Sequence, residues 1–497
     1  MYHIRKTKTS SKATAVQVVC YVKRKTIIAK HIGSGHSAEE IEKLLKVAQV
    51  WIKKENKQQN LFEKIENTKQ TFALLDKCQY LGVRYSFIYE ILTKLLTHFE
   101  FTTIGNSLLH DLVIMRIIEP ASKLKSLDLL NEYFGINHRR QTFYETLPKL
   151  LKLKGPVETL TVNFAQTKLA FDFSLVFYDV TTLYFESFSA DELRKNGFSK
   201  DSKSQQPQIV VGLMVTDQGF PVAYEVFPGN RFEGHTILPV VNDFKNKHKI
   251  PTLTVVADAG MISMDNVKAL QENGLQYIVG ARLGNIALKA LKAISIELGS
   301  QNNATLRTTT AYGDLICSFS EKRYAKDKRE MEKQIKKAKE LLEKPKEAKR
   351  TKFLKNSAKT KYEINEALIE KTKLLLGIKG YYTNLASVDN QTIISHYHNL
   401  WHVEQAFRVA KNDLESRPIF HFKEDAIRVH MLICFMALAV SKYMEIKTDK
   451  SLAQIIRSLK QVTDARIFNS LTAEEIIMRT EISEEVKNIL AKLHLSY

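Results

Sequence analysis

Between Ser174 and Leu283 the chain passes through five runs of apolar, β-prone residues: LVFYDV, QIVVGLMV, FPVAYEVF, TLTVVAD and QYIVGARL. Runs of about four to eight such residues bounded by turn signals specify buried strands. A TDQG turn joins the second run to the third, so these two form a hairpin. Segments with helical spacing, Thr236–Lys245 and Met264–Asn273, separate the third run from the fourth and the fourth from the fifth. A chain of this kind must build a mixed sheet with helices packed on its faces. The expected fold class is α/β.

Three strands, a helix, a strand, a helix and a strand is also the element order of the RNase H-like fold. Within it Asp179 closes the first run and Asp258 the fourth. An aspartate at the end of one strand is ordinarily a turn or cap residue. Two in matching contexts point to carboxylates on neighbouring strand ends, which stay ionised at neutral pH only if a cation lies between them. The third acid is Glu404, in YHNLWHVEQAFRVAKNDL. Tyr397, Glu404 and Lys411 are seven apart, so one continuous helix would align them in a stripe bordered by Arg408, with Ile393, Ile394, Leu400, Val403 and Phe407 on the adjoining face. The plain account of this stripe is an exposed Glu–Arg pair at i, i+4. The sharper one has Glu404 on metal and the tyrosine and cations on flanking phosphates. Tyr178 and Thr181 flank Asp179 and are read as positioning backbone. Asn230, Arg231, Glu233 and His235, in the loop PGNRFEGH, fall at the expected edge of the site, with His235 read as a cap or surface histidine. Arg417 and His421 follow the glutamate helix and are placed to contact nucleic acid or to support Glu404.

With 497 residues the chain exceeds one core, and two to four domains are expected. Its 74 Lys and Arg against 54 Asp and Glu give a formal charge of +20, which suits a polyanionic partner. Seventeen Lys and Arg against six Asp and Glu lie between Lys322 and Lys361, a net of +11 in a stretch expected to be a long helix over 322–342 with more helix beyond Pro345. Such a run is either a solvated helix face or an arm that contacts phosphates. Cys20, Cys78, Cys317 and Cys434 form no CxxC pair and argue for a reducing compartment without a zinc site. The longest apolar run, Met431–Val440, is short for a membrane span and reads as a buried helix, so no membrane partner is expected. The leader MYHIRKTKTSSK has no apolar signal core, which agrees with a cytoplasmic protein. The expected organisation is a small β-β-α module over 1–60, a helical DNA-binding or linker region over 61–165 and a first part of the RNase H-like core over 166–284. A basic insertion over 285–375, a second part of the core with the glutamate helix over 376–430 and a helical tail over 431–497 complete it.

YDVTTLYFE, DAGM and the segment Tyr397–Lys411, taken together in this order, resemble the DDE transposases of bacterial insertion sequences, in the group with a Tyr-Arg-Glu-Lys signature and an insertion before the catalytic glutamate. The resemblance runs from about Asp172 to His430. It implies that Asp179, Asp258 and Glu404 bind two Mg²⁺ or Mn²⁺ ions and catalyse phosphodiester hydrolysis and strand transfer. It places Tyr397 and Lys411 on the outer signature positions, with Arg408 and Arg417 as further candidates for DNA contact. Leu400 departs from the family by standing where the signature has Arg, and Arg408 is the candidate replacement. The implied partners are double-stranded DNA, both terminal inverted repeats and target, and a second copy of the chain on that DNA, within a bacterial cytoplasm and nucleoid. Two rival functions remain open: a metal-dependent nuclease of the same fold without strand transfer, and an inactive DNA-binding relic.

Overall fold

The computed structural model describes residues 2–10, 13–22, 25–55, 77–198, 203, 205–260, 263–343, 351–358 and 361–497. They fall into two compact units, Met1–Leu81 with Ile467–Ile476, and Gly82–Arg466 with Ile477–Tyr497. In the first unit β1 (Tyr2–Lys8), β2 (Thr14–Val22) and β3 (Lys25–Gly35) form an antiparallel sheet in that order, followed by α1 (Ala38–Glu55). The module expected to be β-β-α has a third strand, because the leader is itself a strand. Tyr2 and Ile4 alternate inward against Val16, Val18 and Ala48, and the Tyr2 ring meets Trp51 edge-on at 5.3 Å. Ser37 caps α1: its hydroxyl accepts from Glu40 N at 3.2 Å, and the Glu40 carboxylate accepts from His36 N at 2.8 Å. The strand β4 (Cys78–Arg84) follows. The end of the module expected over 1–60 and the start of the helical region expected over 61–165, residues 56–76, lie outside the described residues.

A block of helices comes next: α2 (Ser86–His98), α3 (Ser107–Ile118), α4 (Lys123–Phe134), α5 (Arg140–Leu151) and α6 (Lys154–Leu169). Asn106 and Ser122 accept the N3 amides of α3 and α4, which fixes where these helices start. Almost every residue of α3 is buried, so it is a core helix. Phe99 and Phe164 stack at 3.7 Å between ring centroids and tie α2 to α6.

The chain then lays down β5 (Leu175–Tyr184), β6 (Gln208–Val215), β7 (Pro221–Pro228), α7 (Ile237–Lys247), β8 (Thr254–Ala257), α8 (Met264–Glu272) and β9 (Gln276–Ala281). This is the order read from the sequence. The β6–β7 turn is closed by Gly219 at φ +77°, a left-handed position that glycine occupies without strain. After α9 (Leu288–Leu298), the hairpin β10 (Thr305–Thr310) and β11 (Gly313–Phe319) joins the same sheet. The excursion that follows comprises α10 (Glu321–Glu343), β12 (Leu354–Ala358), β13 (Lys361–Ile364) and α11 (Glu366–Lys373), with a small core of Met331, Ala338, Phe353, Ile369 and Leu376. Of the helix expected beyond Pro345, residues 346–350 lie outside the described residues, and the chain then forms the β12–β13 pair before helix returns in α11. β14 (Ile378–Thr383) returns to the sheet, whose order is β10-β11-β14-β9-β8-β5-β6-β7. β5–β8 and β8–β9 are parallel, and the other neighbours are antiparallel.

The C-terminal part holds α12 (Asn390–His398), α13 (Trp401–Arg408), a π-helical turn over Val409–Asp413, and α14 (Glu424–Thr448). By length and composition α14 is apolar enough to cross a membrane, yet 89% of its most apolar window is buried in protein, against α3, α5, α6 and β7. The tail continues with α15 (Leu452–Lys460), β15 (Asp464–Asn469), β16 (Glu474–Arg479) and α16 (Glu484–Lys492). It was expected to be helical. Its two strands pair in the order β16-β15-β4, with a partner far away in sequence, so local periodicity does not reveal them.

Two charge networks, each centred on a buried carboxylate, fasten the second unit. Glu158 on α6 takes Lys247 at 3.0 Å, Lys154 at 3.2 Å and the backbone amide of Tyr224 at 3.2 Å. Arg479 grips Asp464 at 2.6 Å and Glu90 at 2.8 Å, which holds the Asp464 carboxyl below its usual range. Glu158→Gln is expected to lower the unfolding free energy by about 3 kcal/mol, since it strands two part-buried ammonium groups. Phe164→Ala should remove about 3–5 kcal/mol. Both are measurable by urea denaturation. For Asp464 the folded pKa is depressed, so its stabilisation is present above the unfolded value of about 4 and is lost as pH falls through the folded value. Asp464→Asn should flatten the acid limb of a stability–pH curve. An acid limb as steep as that of wild type would rule this out.

Candidate active site

Val176, Phe177 and Tyr178 on β5 and all of β8 are buried, because both strands lie in the middle of the sheet with helices on each side. Their parallel register runs from Leu175↔Thr254 to Tyr178↔Ala257. Asp179 and Asp258 are the next residues in line on strands about 4.8 Å apart. The two aspartates therefore stand side by side, Asp179 half-buried within β5 and Asp258 exposed just beyond β8.

Several groups hold Asp258. The Tyr397 hydroxyl donates to Oδ1 at 3.0 Å and the Gly260 amide to Oδ2 at 3.2 Å. Arg282 ties the loop down by donating to the carbonyls of Ala259 and Gly260, each at 2.8 Å. Burial, and then the neighbouring Asp258 charge, raise the Tyr397 phenol well above its usual pKa, so it remains a donor at all ordinary pH values. Gly280 makes room for it: a Cβ there would collide with the Tyr397 hydroxyl and sit 2.9 Å from Ala259 Cβ. Met261, the last residue of the DAGM motif, lies outside the described residues.

The single helix expected to carry Tyr397, Glu404 and Lys411 does not exist as such. α12 ends at His398 and α13 starts at Trp401, and across the junction the amides of Leu400, His402 and Val403 bond to carbonyls three residues back. This tight turn advances about 20° more per residue than an α-helix, so the two sides lose their common stripe. Tyr397 and Leu400 end up buried and Glu404 exposed. α13 packs on β5 and β6, so Glu404 sits on a helix that contacts the strand carrying Asp179. Lys411 lies in the π-helical turn and lines a small cavity with Thr181 and Leu213. Arg408 is exposed one turn beyond Glu404. Arg417 lies over the Tyr184 ring at 5.8 Å and, with His421, lines a separate cavity. Tyr178 and Thr181 are buried core residues, and in the 228–236 loop Arg231 donates to the His235 carbonyl at 3.3 Å.

Lys379 on β14 is the residue that the sequence reading overlooked. Its ammonium lies in the field of both Asp258 and Glu404 and 4.5 Å over the Tyr397 ring. Burial, helped by Arg323, lowers its pKa, while the two carboxylates oppose the fall. A lysine interrupting the otherwise buried strand IKGYYT was the available signal. Lys379, Tyr397 and Asp258 form one wall of a cavity of about 520 Å³, and Arg323, Lys352 and Lys371 from the basic excursion contribute to the rest. The acids supply only oxygen donors, the set that suits a hard divalent cation, and Asp179 and Asp258 fit one by register. Glu404 does not close the set: among the described residues no group of three or more His, Cys, Asp or Glu side chains has the spacing of a metal centre.

A sequence profile described as the transposase DDE domain matches residues 171–440. Among solved structures the chain is similar to the cryo-EM structure of the piggyBac transposase synaptic complex with hairpin DNA, with 10% sequence identity and a TM-score of 0.37, over 73% of this chain and 70% of that one. No curated protein sequence matches.

Tyr397→Phe removes the hydrogen bond that positions Asp258 and is expected to cost about 1–2 kcal/mol. Gly280→Ala should cost more, because the hydroxyl and the Ala259 loop must both move. Urea titration of the three proteins at neutral pH gives the order, and a Gly280→Ala protein as stable as wild type would contradict the packing described.

Proposed function

This chain belongs to the transposase DDE domain family, whose profile covers more than half of it, and we propose that it is a DNA transposase of the bacterial insertion-sequence type. In this reading it cleaves the ends of its element and joins them to target DNA. The observation that carries the proposal is the β5–β8 register, which sets Asp179 beside Asp258. Supporting it is the sheet segment β7-β6-β5-β8-β9, with the first three strands antiparallel and the last three parallel, an arrangement we read as RNase H-like.

Asp179 and Asp258, with Glu404 as the third carboxylate, are the residues that would hold Mg²⁺ or Mn²⁺. When bound, such ions activate the attacking oxygen and stabilise the leaving oxygen of a phosphodiester. Around them this chain's own groups do the positioning. Tyr397 and the Gly260 amide orient the Asp258 carboxylate. Lys379 offsets the clustered negative charge and can hold a phosphate oxygen beside it. Arg323, Lys352 and Lys371 line the same cavity together with Asp327 and Glu330, Arg323 pairing with Asp327 at 3.3 Å, and the two lysines suit contact with the DNA backbone. Leu400 is buried at the helix junction and holds α13 in place, so the phosphate contact on that helix falls to exposed Arg408. Two element ends must be processed together, which calls for two copies of the chain on DNA.

Purified protein incubated with labelled end oligonucleotides and a target plasmid is expected to give both cleaved and joined products, and chelation of divalent metal should abolish both. Asp179→Asn, Asp258→Asn and Glu404→Gln should each lower cleavage by at least about 10²-fold. Lys379→Met should tighten Mn²⁺ binding, read by electron paramagnetic resonance, because it removes a repelling cation. Undiminished cleavage by the three acid variants would sink the catalytic proposal, and cleavage without joining would reduce the protein to a nuclease.

A further inference from the structure

Arg417 and His421 line a cavity of about 250 Å³ that shares no residue with the cavity at Asp258. Arg116 from α3, Lys123 from α4, His430 from α14 and Glu415 complete its ionisable lining. Arg116, Lys123 and His430 are 4%, 5% and 4% exposed. Three buried basic groups around one space are unusual, since a buried cation is costly unless it is paired.

Their hydrogen bonds fix the geometry without neutralising the charge. Arg116 donates to the Ala121 carbonyl at 2.7 Å and to those of Leu414 and Glu415 at 3.4 and 3.5 Å. Lys123 Nζ lies 3.0 Å from His430 Nδ1, and His430 Nε2 lies 3.1 Å from the Ser416 carbonyl. A carbonyl only accepts, so the ring proton is on Nε2 and Nδ1 accepts from the lysine. A neutral imidazole offers the ammonium no counter-charge. Glu415 is the one carboxylate in the described lining, and it is exposed to solvent. Burial accordingly pulls the Lys123 and His430 pKa values well down and that of His421 to about 4, with neighbouring cations adding to each fall. The volume equals the share of on the order of eight waters, room for a tetrahedral oxyanion and part of its hydration. Tyr144 and Phe420, both exposed, also line it.

We propose that this cavity binds a phosphate group, held by Arg116, Lys123 and Arg417 with His421 as a further donor. It is a second anion site, and it does not depend on the cleavage chemistry, which uses none of these residues. Entry of a phosphate supplies the missing negative charge and stabilises the protonated forms of the lysine and imidazole. The chemistry is common to free phosphate and to a phosphate carried by a DNA strand.

Full-length protein at fixed ionic strength is the test. Inorganic phosphate is expected to raise Tm in a saturable way over chloride, and Lys123→Met to weaken the fitted phosphate affinity by at least about tenfold. In phosphate-free buffer the same variant should melt no lower than wild type, because it removes a buried cation. Should Lys123→Met fail to fold, Arg417→Gln, partly exposed, provides the comparison, with a loss of about threefold or more. Lys292→Gln, on the exposed side of α9, controls for loss of one surface charge. A single-stranded oligonucleotide with a 5′-phosphate that displaces inorganic phosphate assigns the source to DNA, whereas binding of both together assigns it to free phosphate. No phosphate effect in wild type, or an equal effect in the Lys123 and Arg417 variants, overturns the site.

Discussion

The candidate site depends on the pairing of β5 with β8, two parallel strands in the middle of the second unit's sheet. β8 is only four residues long, and all four are buried. Its register is therefore set by packing on both faces. A slip of one residue would turn Val255 and Ala257 to the opposite face and part the two aspartates. The connection from β5 to β8 runs through the β6–β7 hairpin and α7, so the 69 residues between Tyr184 and Thr254 serve to bring two carboxylates to one edge.

Gathering negative charge at a sheet edge is unfavourable, and the surrounding groups offset it. A phenol, a backbone amide and a half-buried lysine approach Asp258 from three elements, while an arginine fastens the loop that follows it. None of these contacts is strong alone. Together they leave the Asp258 carboxylate oriented with one side open to the larger cavity. The basic second cavity shows the opposite imbalance, with several basic side chains and one carboxylate, Glu415, in its lining. Both imbalances lie in the same unit, and each suits a partner of opposite charge.

Much of this was legible in the sequence, for identifiable reasons. LVFYDV and TLTVVAD are buried on both faces, so their apolar runs were unbroken and the acids that end them stood out. The TDQG turn marked the β6–β7 hairpin just as directly. The break at Asn399–Leu400 was not legible, because neither residue prohibits a helix and the tight turn arises from packing on the sheet. Lys379 was hidden for a related reason: its role depends on β14 lying beside β9, roughly a hundred residues earlier. The union of Arg116 and Lys123 with Arg417 and His430 spans about three hundred residues and leaves no periodic trace. The leader strand was obscured by its lysines, although Tyr2 and Ile4 alternate as a strand requires.

α14 covers the helical block and β7 at once, and it reaches them from residue 424 onward. During synthesis, the five preceding helices and the strands of the sheet are therefore made while the element that buries their shared apolar surface is still absent. Their contacts with it span up to about three hundred residues, and pairing at such separation is slow. The exposed intermediate is one that chaperones would bind. Newly made copies would then become active only after the ribosome has passed residue 448, a delay between translation and function that is built into the order of the chain.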